Sequence, residues 1–327
     1  MLTALAATQS FPVSFDGDSS LRTRLMAGLL DALGGLGAKT VSNGGKCPLT
    51  VTGPLRSGRT RLDGTTSQYL TALLFALPTV PGAEFELELP FLNEQPYIRI
   101  TLRWLEQLGI HVEHSADLLR WRIPGGQRVP GFERVIPADF STAAFPLLAA
   151  AVAGDGVTIR NLDFGDAQGD KAVFGYFERM GVAVARGGEL SVAPSRLLEG
   201  CELDLNATPD ALPAMAAAAA FARGETRLVN VPQARVKETD RISAMAEELA
   251  KMGVAVRELP DGMVIAGTRP RGAKLDGHGD HRIVMALACA ALAAEGSSTI
   301  DGAEAAAVTY PGFFRDFQAL GAKFELE

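Results

Sequence analysis

Hydrophobic positions along the chain fall into a repeating succession of helical and strand-like segments. At five places an amphipathic helical stretch ends in Leu-Gly or Met-Gly, and alternating apolar and polar residues follow. Glycine directly after the last apolar residue of a helix is typical of a left-handed helix cap, and the alternation is typical of a half-buried strand. These glycines are separated by 72, 72, 72 and 68 residues: Gly37, Gly109, Gly181, Gly253 and Gly321.

Each repeat also contains a second helix, rich in small residues, and further strands. The pattern predicts these helices over residues 1–8, 67–77, 141–154, 209–224 and 281–296. It predicts strands after them at 157–161, 226–230 and 298–302, and strands after the capping glycines at 182–185, 254–257 and 322–325. The repeating unit is therefore β-α-β-α-β-β, which predicts an α/β fold with helices packed behind mixed sheets. The first unit begins inside its small-residue helix.

Composition narrows the class of protein. With 327 residues, 47% hydrophobic content and a mean hydropathy of +0.13, the chain is long enough for two domains with cores of their own. Its apolar stretches are interrupted by Pro or Gly, so none supplies the ~20 consecutive apolar residues that a membrane span needs. The N-terminus has no basic segment typical of a signal peptide. We therefore expect a cytoplasmic protein that does not bind membranes.

Charge and cysteine content exclude further classes. The net charge of −7 argues against a nucleic-acid-binding surface, which needs a basic stripe. The three cysteines lie far apart and have no metal-binding spacing, so we interpret them as reduced packing residues. His111 and His114 flank a glutamate, but strand alternation would turn them to opposite faces. No metal site is indicated.

Polar residues open the small-residue helices, over residues 64–68, 138–142, 206–210 and 279–282. Helix N-termini attract anions because their N–H groups are unpaired and the helix dipole is positive there. Such residues also serve as ordinary helix caps. Cations at Arg235-Val-Lys-Glu-Thr-Asp-Arg241 favour an anion site, although five charges in seven residues are also typical of a solvated helix start.

The segment Arg235–Arg241, followed by a helix and Leu249-Ala-Lys-Met-Gly253, resembles the phosphoenolpyruvate-binding signature of the EPSP (5-enolpyruvylshikimate-3-phosphate) synthase family. Four further motifs of that family occur in order along the chain: Ser20-Leu-Arg-Thr-Arg-Leu-Met26, Asp63-Gly-Thr-Thr-Ser-Gln-Tyr-Leu-Thr-Ala-Leu-Leu74, Pro96-Tyr-Ile-Arg-Ile-Thr-Leu102 and Gly279-Asp-His-Arg-Ile-Val-Met-Ala286. The resemblance covers nearly the whole chain.

This resemblance implies transfer of the enolpyruvyl group of phosphoenolpyruvate (PEP) to the 5-hydroxyl of shikimate 3-phosphate, with release of phosphate and with no metal or organic cofactor. By match to the family motifs, Asp210 would accept the hydroxyl proton, and Lys237 and Glu238 would deliver and return the methylene proton. The residues implied to bind the two substrates are Arg24, Thr66, Ser67, Gln68, Tyr97, Gln233, Lys237, Arg241 and Arg282. Glu94 stands where the family usually has serine.

The resemblance also implies a two-domain enolpyruvyl transferase fold with three repeat units in each domain. Five of the six units are present, which predicts an incomplete domain at residues 1–136 and a complete one at 137–327. The chain is expected to be a monomer whose partner, besides the substrates, is a separately supplied N-terminal fragment. Alternatives are a truncated non-catalytic homologue, half of a split enzyme, a transferase for another cyclic alcohol, and a UDP-N-acetylglucosamine enolpyruvyl transferase. The last would carry a loop cysteine near residues 18–19, which this chain lacks.

Overall fold

A computed structural model describes residues 1–186, 190–193 and 197–326 of the chain. These residues form two compact units, Met1–Val135 and Ile136–Glu327, referred to below as unit 1 and unit 2.

Unit 1 contains five helices and seven strands. Its helices are α1 Leu2–Ala6, α2 Ser19–Thr23, α3 Ala27–Gly35, α4 Ser67–Ala76 and α5 Gln95–Gln107, with a 3-10 turn at Leu77–Thr79. Its strands are β1 Val13–Phe15, β2 Lys39–Asn43, β3 Lys46–Thr52, β4 Gly58–Arg61, β5 Glu84–Glu88, β6 Glu113–His114 and β7 Arg120–Pro124. They form two sheets with the orders β1-β3-β2 and β4-β5-β7-β6.

The described part of unit 2 contains six helices and eleven strands. The helices are α6 Phe140–Val152, α7 Ala172–Arg179, α8 Leu212–Ala219, α9 Arg241–Lys251, α10 His281–Ala293 and α11 Phe313–Ala319. Four 3-10 segments accompany them: Gly169–Lys171, Pro209–Ala211, Pro232–Val236 and Ala303–Val308. The strands are β8 Val157–Ile159, β9 Val184–Arg186, β10 Leu190–Val192, β11 Leu198–Glu199, β12 Glu202–Asp204, β13 Ala222–Arg223, β14 Glu225–Val229, β15 Ala255–Leu259, β16 Gly262–Ala266, β17 Lys274–Asp276 and β18 Thr299–Asp301.

The same four-stranded sheet occurs once in each unit. In unit 1, β4 runs parallel to β5, and β5 and β7 then pair antiparallel, as do β7 and β6. In unit 2, β12, β14, β16 and β15 repeat this order and these directions. A helix separates the first two strands along the chain in each case, and another precedes the hairpin. The predicted β-α-β-α-β-β unit and the α/β fold class are therefore confirmed.

The glycines that mark the repeat are all helix caps in the left-handed region. Their φ angles lie between 70° and 103°. A side chain at a position of positive φ brings its β-carbon too close to the backbone, so glycine is strongly favoured there. The sequence spacing therefore reflects a repeated helix end, as predicted.

Two segments differ from the prediction. Residues 322–325 form no strand, although burial still alternates along them. Their alternation instead packs Phe324 against Phe314, and Gln318 donates to the Phe324 carbonyl. The helix predicted at 209–224 begins as a 3-10 turn and ends at Ala219, because Ala222 and the next residue pair with β11 in a parallel ladder.

The core of unit 2 is built on three small-residue helices, α6, α8 and α10, that contact one another pairwise. The eight residues of α8 are all buried, and five of them are alanine. Small side chains let helix backbones approach closely, so this packing leaves little space for larger residues.

Unit 1 has two helices of this kind, α1 and α4, and they pack against each other. Beside them lies an exposed groove with a wholly apolar lining, called the α1 groove below. Its lining includes Met1, Leu2, Leu5, Leu74, Leu105 and Ile110. Leu2 is 69% exposed. Across the part of the chain that the structure describes, every helix is too short or too polar to cross a lipid bilayer.

Enlarging an alanine within the three-helix core tests this packing. Ala217→Leu in α8, at a fully buried position, should lower the free energy of unfolding by about 1–3 kcal/mol through overpacking. The matched control is Ala250→Leu, because Ala250 is exposed on α9 and should change stability by less than about 0.5 kcal/mol. Urea denaturation of both variants is the measurement. Equal effects would show that the alanines are not needed for close packing.

Candidate active site

The polar starts of the three core helices of unit 2 converge. Arg282, in the first turn of α10, donates from Nη2 to Ser141 Oγ in the first turn of α6 over 2.9 Å. The same Nη2 atom lies 3.2 Å from Asp210 Oδ2, in the 3-10 turn that leads into α8. Close packing of these helices brings their N-terminal ends together, and the positive ends of helix dipoles favour negative charge at this place.

Arg241 lies at the centre of this site and is only 1% exposed. Its Nε donates to Asp280 over 2.7 Å, its Nη1 to Asp210 over 2.9 Å and its Nη2 to Glu238 over 2.7 Å. Burial alone would lower the pKa of Arg241, but the carboxylates of Asp280 and Asp210 outweigh burial and raise the pKa further above its usual value. A buried cation needs paired carboxylates to be tolerated. Arg241 therefore holds three carboxylates in place.

Asp210 is the carboxylate that contacts all three cations of the site. Lys237 Nζ lies 3.7 Å from its Oδ1, and Arg241 and Arg282 make the closer contacts described above. Burial alone would raise the pKa of Asp210, but the charges of Arg282, Lys237 and Arg241 together hold that pKa well below its usual range. Asp210 is therefore ionised and, in this arrangement, a weak base.

The charged segment between β14 and α9 has two sets of contacts. Lys237, Glu238 and Arg241 belong to the cluster around Asp210. Arg235 instead donates to Asp240 over 2.7 Å and to the Leu259 carbonyl over 2.6 Å, at the turn between β15 and β16. Asp240 in turn caps α9 by accepting from two backbone N–H groups. The segment is thus internally paired rather than a solvated helix start.

Gln233 lies in the 3-10 segment before these charges and is 3% exposed. Its Nε2 donates to the Asn206 carbonyl over 2.9 Å, which ties this segment to the loop that carries Asp210. Its Oε1 is buried without a hydrogen-bond donor. A buried acceptor of this kind can accept a hydrogen bond from a ligand hydroxyl.

In unit 1 the predicted residues Thr66 and Ser67 open α4, and both contact Glu94. The Glu94 carboxylate accepts from Ser67 N over 3.1 Å, from Ser67 Oγ over 2.9 Å and from Thr66 Oγ1 over 3.3 Å. Thr66 also caps α4 by accepting from Gln68 N. Glu94 is 2% exposed and adopts the left-handed region with φ of 57°. A carboxylate of the protein therefore occupies the anion position at this helix start.

The other predicted residues of unit 1 lie on three different helical segments. Gln68 is exposed in the first turn of α4, and Tyr97 is half-buried near the start of α5. Arg24 follows α2 and is half-buried. Its neighbour Leu25 accepts a hydrogen bond from Tyr69 Oη over 2.6 Å, which connects this segment to α4.

Sequence reasoning missed three residues of the unit 2 cluster. Asp280 is fully buried, binds Arg241 and caps α10 through Arg282 N. His281 is buried next to it, and burial lowers its pKa, so the imidazole is neutral at neutral pH. Ser141 accepts from Arg282. The available signal was the polar helix starts at 138–142 and 279–282, which indicated sites without distinguishing a cap from a ligand.

Comparison with solved structures identifies the fold as that of the enolpyruvyl transferases. The fold matches a crystal structure of the enolpyruvyl transferase NikO from Streptomyces tendae with a TM-score of 0.74, over 97% of this chain and 74% of that chain, at 20% identity. That level of identity establishes the fold alone. An EPSP synthase structure from Acinetobacter baumannii matches with a TM-score of 0.80 and 26% identity, over 99% of this chain and 77% of that chain.

Sequence comparison then gives the family. The pattern of the EPSP synthase (3-phosphoshikimate 1-carboxyvinyltransferase) family matches residues 1–317. A 3-phosphoshikimate 1-carboxyvinyltransferase from Acetivibrio thermocellus is 48% identical over 310 residues, which are 94% of this chain and 73% of that protein. The chain belongs to the EPSP synthase family, as its motifs predicted.

The depressed pKa of Asp210 predicts acid sensitivity. The unfolded chain binds more protons than the folded one near the ordinary aspartate pKa of about 4. The stability that Asp210 contributes is therefore present above this pH and is lost as the pH falls below it. Between pH 5 and pH 3 the wild-type free energy of unfolding should fall by about 1 kcal/mol more than that of Asp210→Asn. Urea denaturation across this range measures the difference, and parallel curves would contradict the prediction.

Proposed function

We propose that the chain transfers the enolpyruvyl group of PEP to the 5-hydroxyl of shikimate 3-phosphate and releases phosphate. The observation that carries the proposal is the cluster of Lys237, Arg241 and Arg282 around Asp210. PEP carries a carboxylate and a phosphate, and forked guanidinium donors suit both groups. Family membership agrees with this chemistry.

The reaction needs a base, an acid and stabilised negative charge. In the proposed sequence the acceptor oxygen attacks C2 of PEP while Asp210 takes the hydroxyl proton and C3 gains a proton from Lys237 or Glu238. The tetrahedral intermediate then loses phosphate, which takes the proton held by Asp210, as C3 returns a proton to the same pair. Each step balances within the two substrates and these side chains.

The weak basicity of Asp210 is explained by the same contacts. Its pKa is depressed because Arg282, Lys237 and Arg241 all face it. An anionic substrate that draws these cations towards itself weakens their hold on Asp210, and the pKa of the carboxylate then rises. PEP binding would thus activate the base when the substrate to be attacked is in place.

On the acceptor side we propose contacts from Thr66, Ser67, Gln68 and Tyr97, with Gln233 as a hydroxyl partner. Arg24 completes the PEP-binding arginines in this proposal. The buried Oε1 of Gln233 supports its role, because it has an unused acceptor position. These assignments rest on the family motifs and the local geometry of each unit.

Phosphate release from PEP and shikimate 3-phosphate tests the proposed reaction. The wild-type chain should release phosphate only when both substrates are present. Asp210→Asn should lower kcat by about 10²–10⁴-fold through loss of the base. KM for PEP should not rise, because the uncharged asparagine no longer competes with PEP for the cations of the cluster. Asp301→Asn, in an exposed ion pair with Lys274, is the control and should behave as wild type. Full activity of Asp210→Asn would refute the role of Asp210.

A partner is part of the proposal. We propose that the α1 groove binds a further repeat unit, either from a longer form of this polypeptide or from a separate one. Three small-residue helices pack together in unit 2, whereas unit 1 supplies two, and the groove beside them is wholly apolar. The curated relative from Acetivibrio thermocellus is also longer than the matched region. We further propose that the chain acts as a cytoplasmic monomer that binds neither nucleic acid nor membrane.

Adding a synthetic N-terminal unit, copied from the Acetivibrio thermocellus relative, should raise the melting temperature of the chain and its rate of phosphate release. Leu5→Glu should abolish both effects, because it puts a charge in the α1 groove. Leu21→Glu is the matched control, since Leu5 and Leu21 are each 38% exposed and Leu21 lies outside the groove lining. Calorimetry with and without the added unit measures the change in melting temperature for each variant. Stabilisation that survives Leu5→Glu would place the unit elsewhere.

A further inference from the structure

The connection between β17 and α10 is held to α9 at two points. Arg241 begins α9 and donates to Asp280. Glu248 lies seven residues further, about two helical turns along the same side. Its carboxylate accepts from the Asp276 backbone N–H over 3.0 Å and from His278 Nε2 over 2.7 Å. One helix thus contacts both ends of the connection that delivers Asp280 and Arg282 to the cluster.

One residue of this connection, His278, has a backbone conformation that is unfavourable for a residue with a side chain. His278 and Gly279 both lie in the left-handed region, with φ of 50° and 64°. Left-handed backbone is unfavourable for a residue with a side chain, and it persists where surrounding contacts impose it. The His278 backbone N–H donates to Asp276 Oδ1, and its ring is bonded to Glu248. These contacts oppose relaxation of the turn.

Glu248 is a fully buried carboxylate outside the cluster of cations around Asp210. Lys251 Nζ lies 2.8 Å from Glu248 and 3.0 Å from the exposed Glu247. Glu247, Glu248 and His278 approach closely enough to hold a metal ion. Lys251 already places a cation against both carboxylates, so the group is better explained as a structural anchor than as a metal site.

We propose that Glu248 and His278 are positioning residues for the PEP side of the active site. They hold the turn at residues 276–280, and the turn places Asp280 against Arg241 and Arg282 against Asp210. The inference rests on the proposed function for its kinetic consequences. Its structural content, the anchoring of the turn, is independent of turnover.

The kinetic test compares two neighbouring glutamates that share Lys251. Glu248→Gln should raise KM for PEP about tenfold or more, since small displacements of a binding group cost rate and affinity. KM for shikimate 3-phosphate should stay within about twofold. Glu247→Gln, whose side chain is 59% exposed, should match wild type in all constants. A Glu248→Gln enzyme with wild-type KM for PEP, or with equal losses for both substrates, would overturn the proposal.

His278 provides a second test that is less dependent on the stability of the core. Phenylalanine at this position cannot donate to Glu248, whereas glutamine can. His278→Phe should therefore raise KM for PEP, and His278→Gln should restore most of the wild-type value. Equal behaviour of the two variants would show that the hydrogen bond does not position the turn.

Hydrogen–deuterium exchange separates this inference from the proposed reaction. The amides of residues 276–282 should exchange faster in Glu248→Gln and His278→Phe than in wild type, by about tenfold or more, with Glu247→Gln unchanged. A wild-type chain without turnover would refute the proposed function and leave this measurement valid. Unchanged exchange in both variants would refute the anchoring itself.

Discussion

Burying a guanidinium is the constraint on which the rest of unit 2 depends. Arg241 is almost completely removed from water, so its charge must be met by the protein. Asp280, Asp210 and Glu238 meet it from three different segments. Each of these segments must therefore arrive at one point with its carboxylate correctly oriented, and the packing of α8, α9 and α10 makes that possible.

The cluster is electrically balanced, with three cations and three carboxylates. Balance makes the buried charges tolerable in the folded protein, and it also means that an anionic ligand competes with the carboxylates of the protein itself. A site of this kind binds an anion by exchanging partners rather than by filling an empty positive pocket. The chemistry of Asp210 is then coupled to what the arginines bind.

Much of this arrangement could be predicted from the sequence. The capping glycines gave the repeat, since few other residues tolerate the left-handed backbone at a helix end. The motifs identified Asp210, Lys237, Glu238, Arg241 and Arg282, which the fold brings together. Asp280 and Glu248 escaped prediction because their roles depend on burial and on contacts between distant segments, and one sequence records neither. The strand at 322–325 failed for a related reason, since alternation specifies a face and says nothing about a ladder partner.

The regular spacing of the capping glycines lets the chain be aligned with itself. Glu94 and Glu238 each stand 15 residues before such a glycine, and Thr66 and Asp210 each stand 43 residues before it. Tyr97 and Arg241 are equivalent in the same way. In unit 2 both aligned positions are carboxylates, Asp210 and Glu238, and Arg241 lies between them. Where one is threonine, as at Thr66, its hydroxyl donates directly to the glutamate. The two aligned positions are thus connected in two chemically distinct ways, through a shared arginine in unit 2 and through a direct hydroxyl–carboxylate hydrogen bond in unit 1.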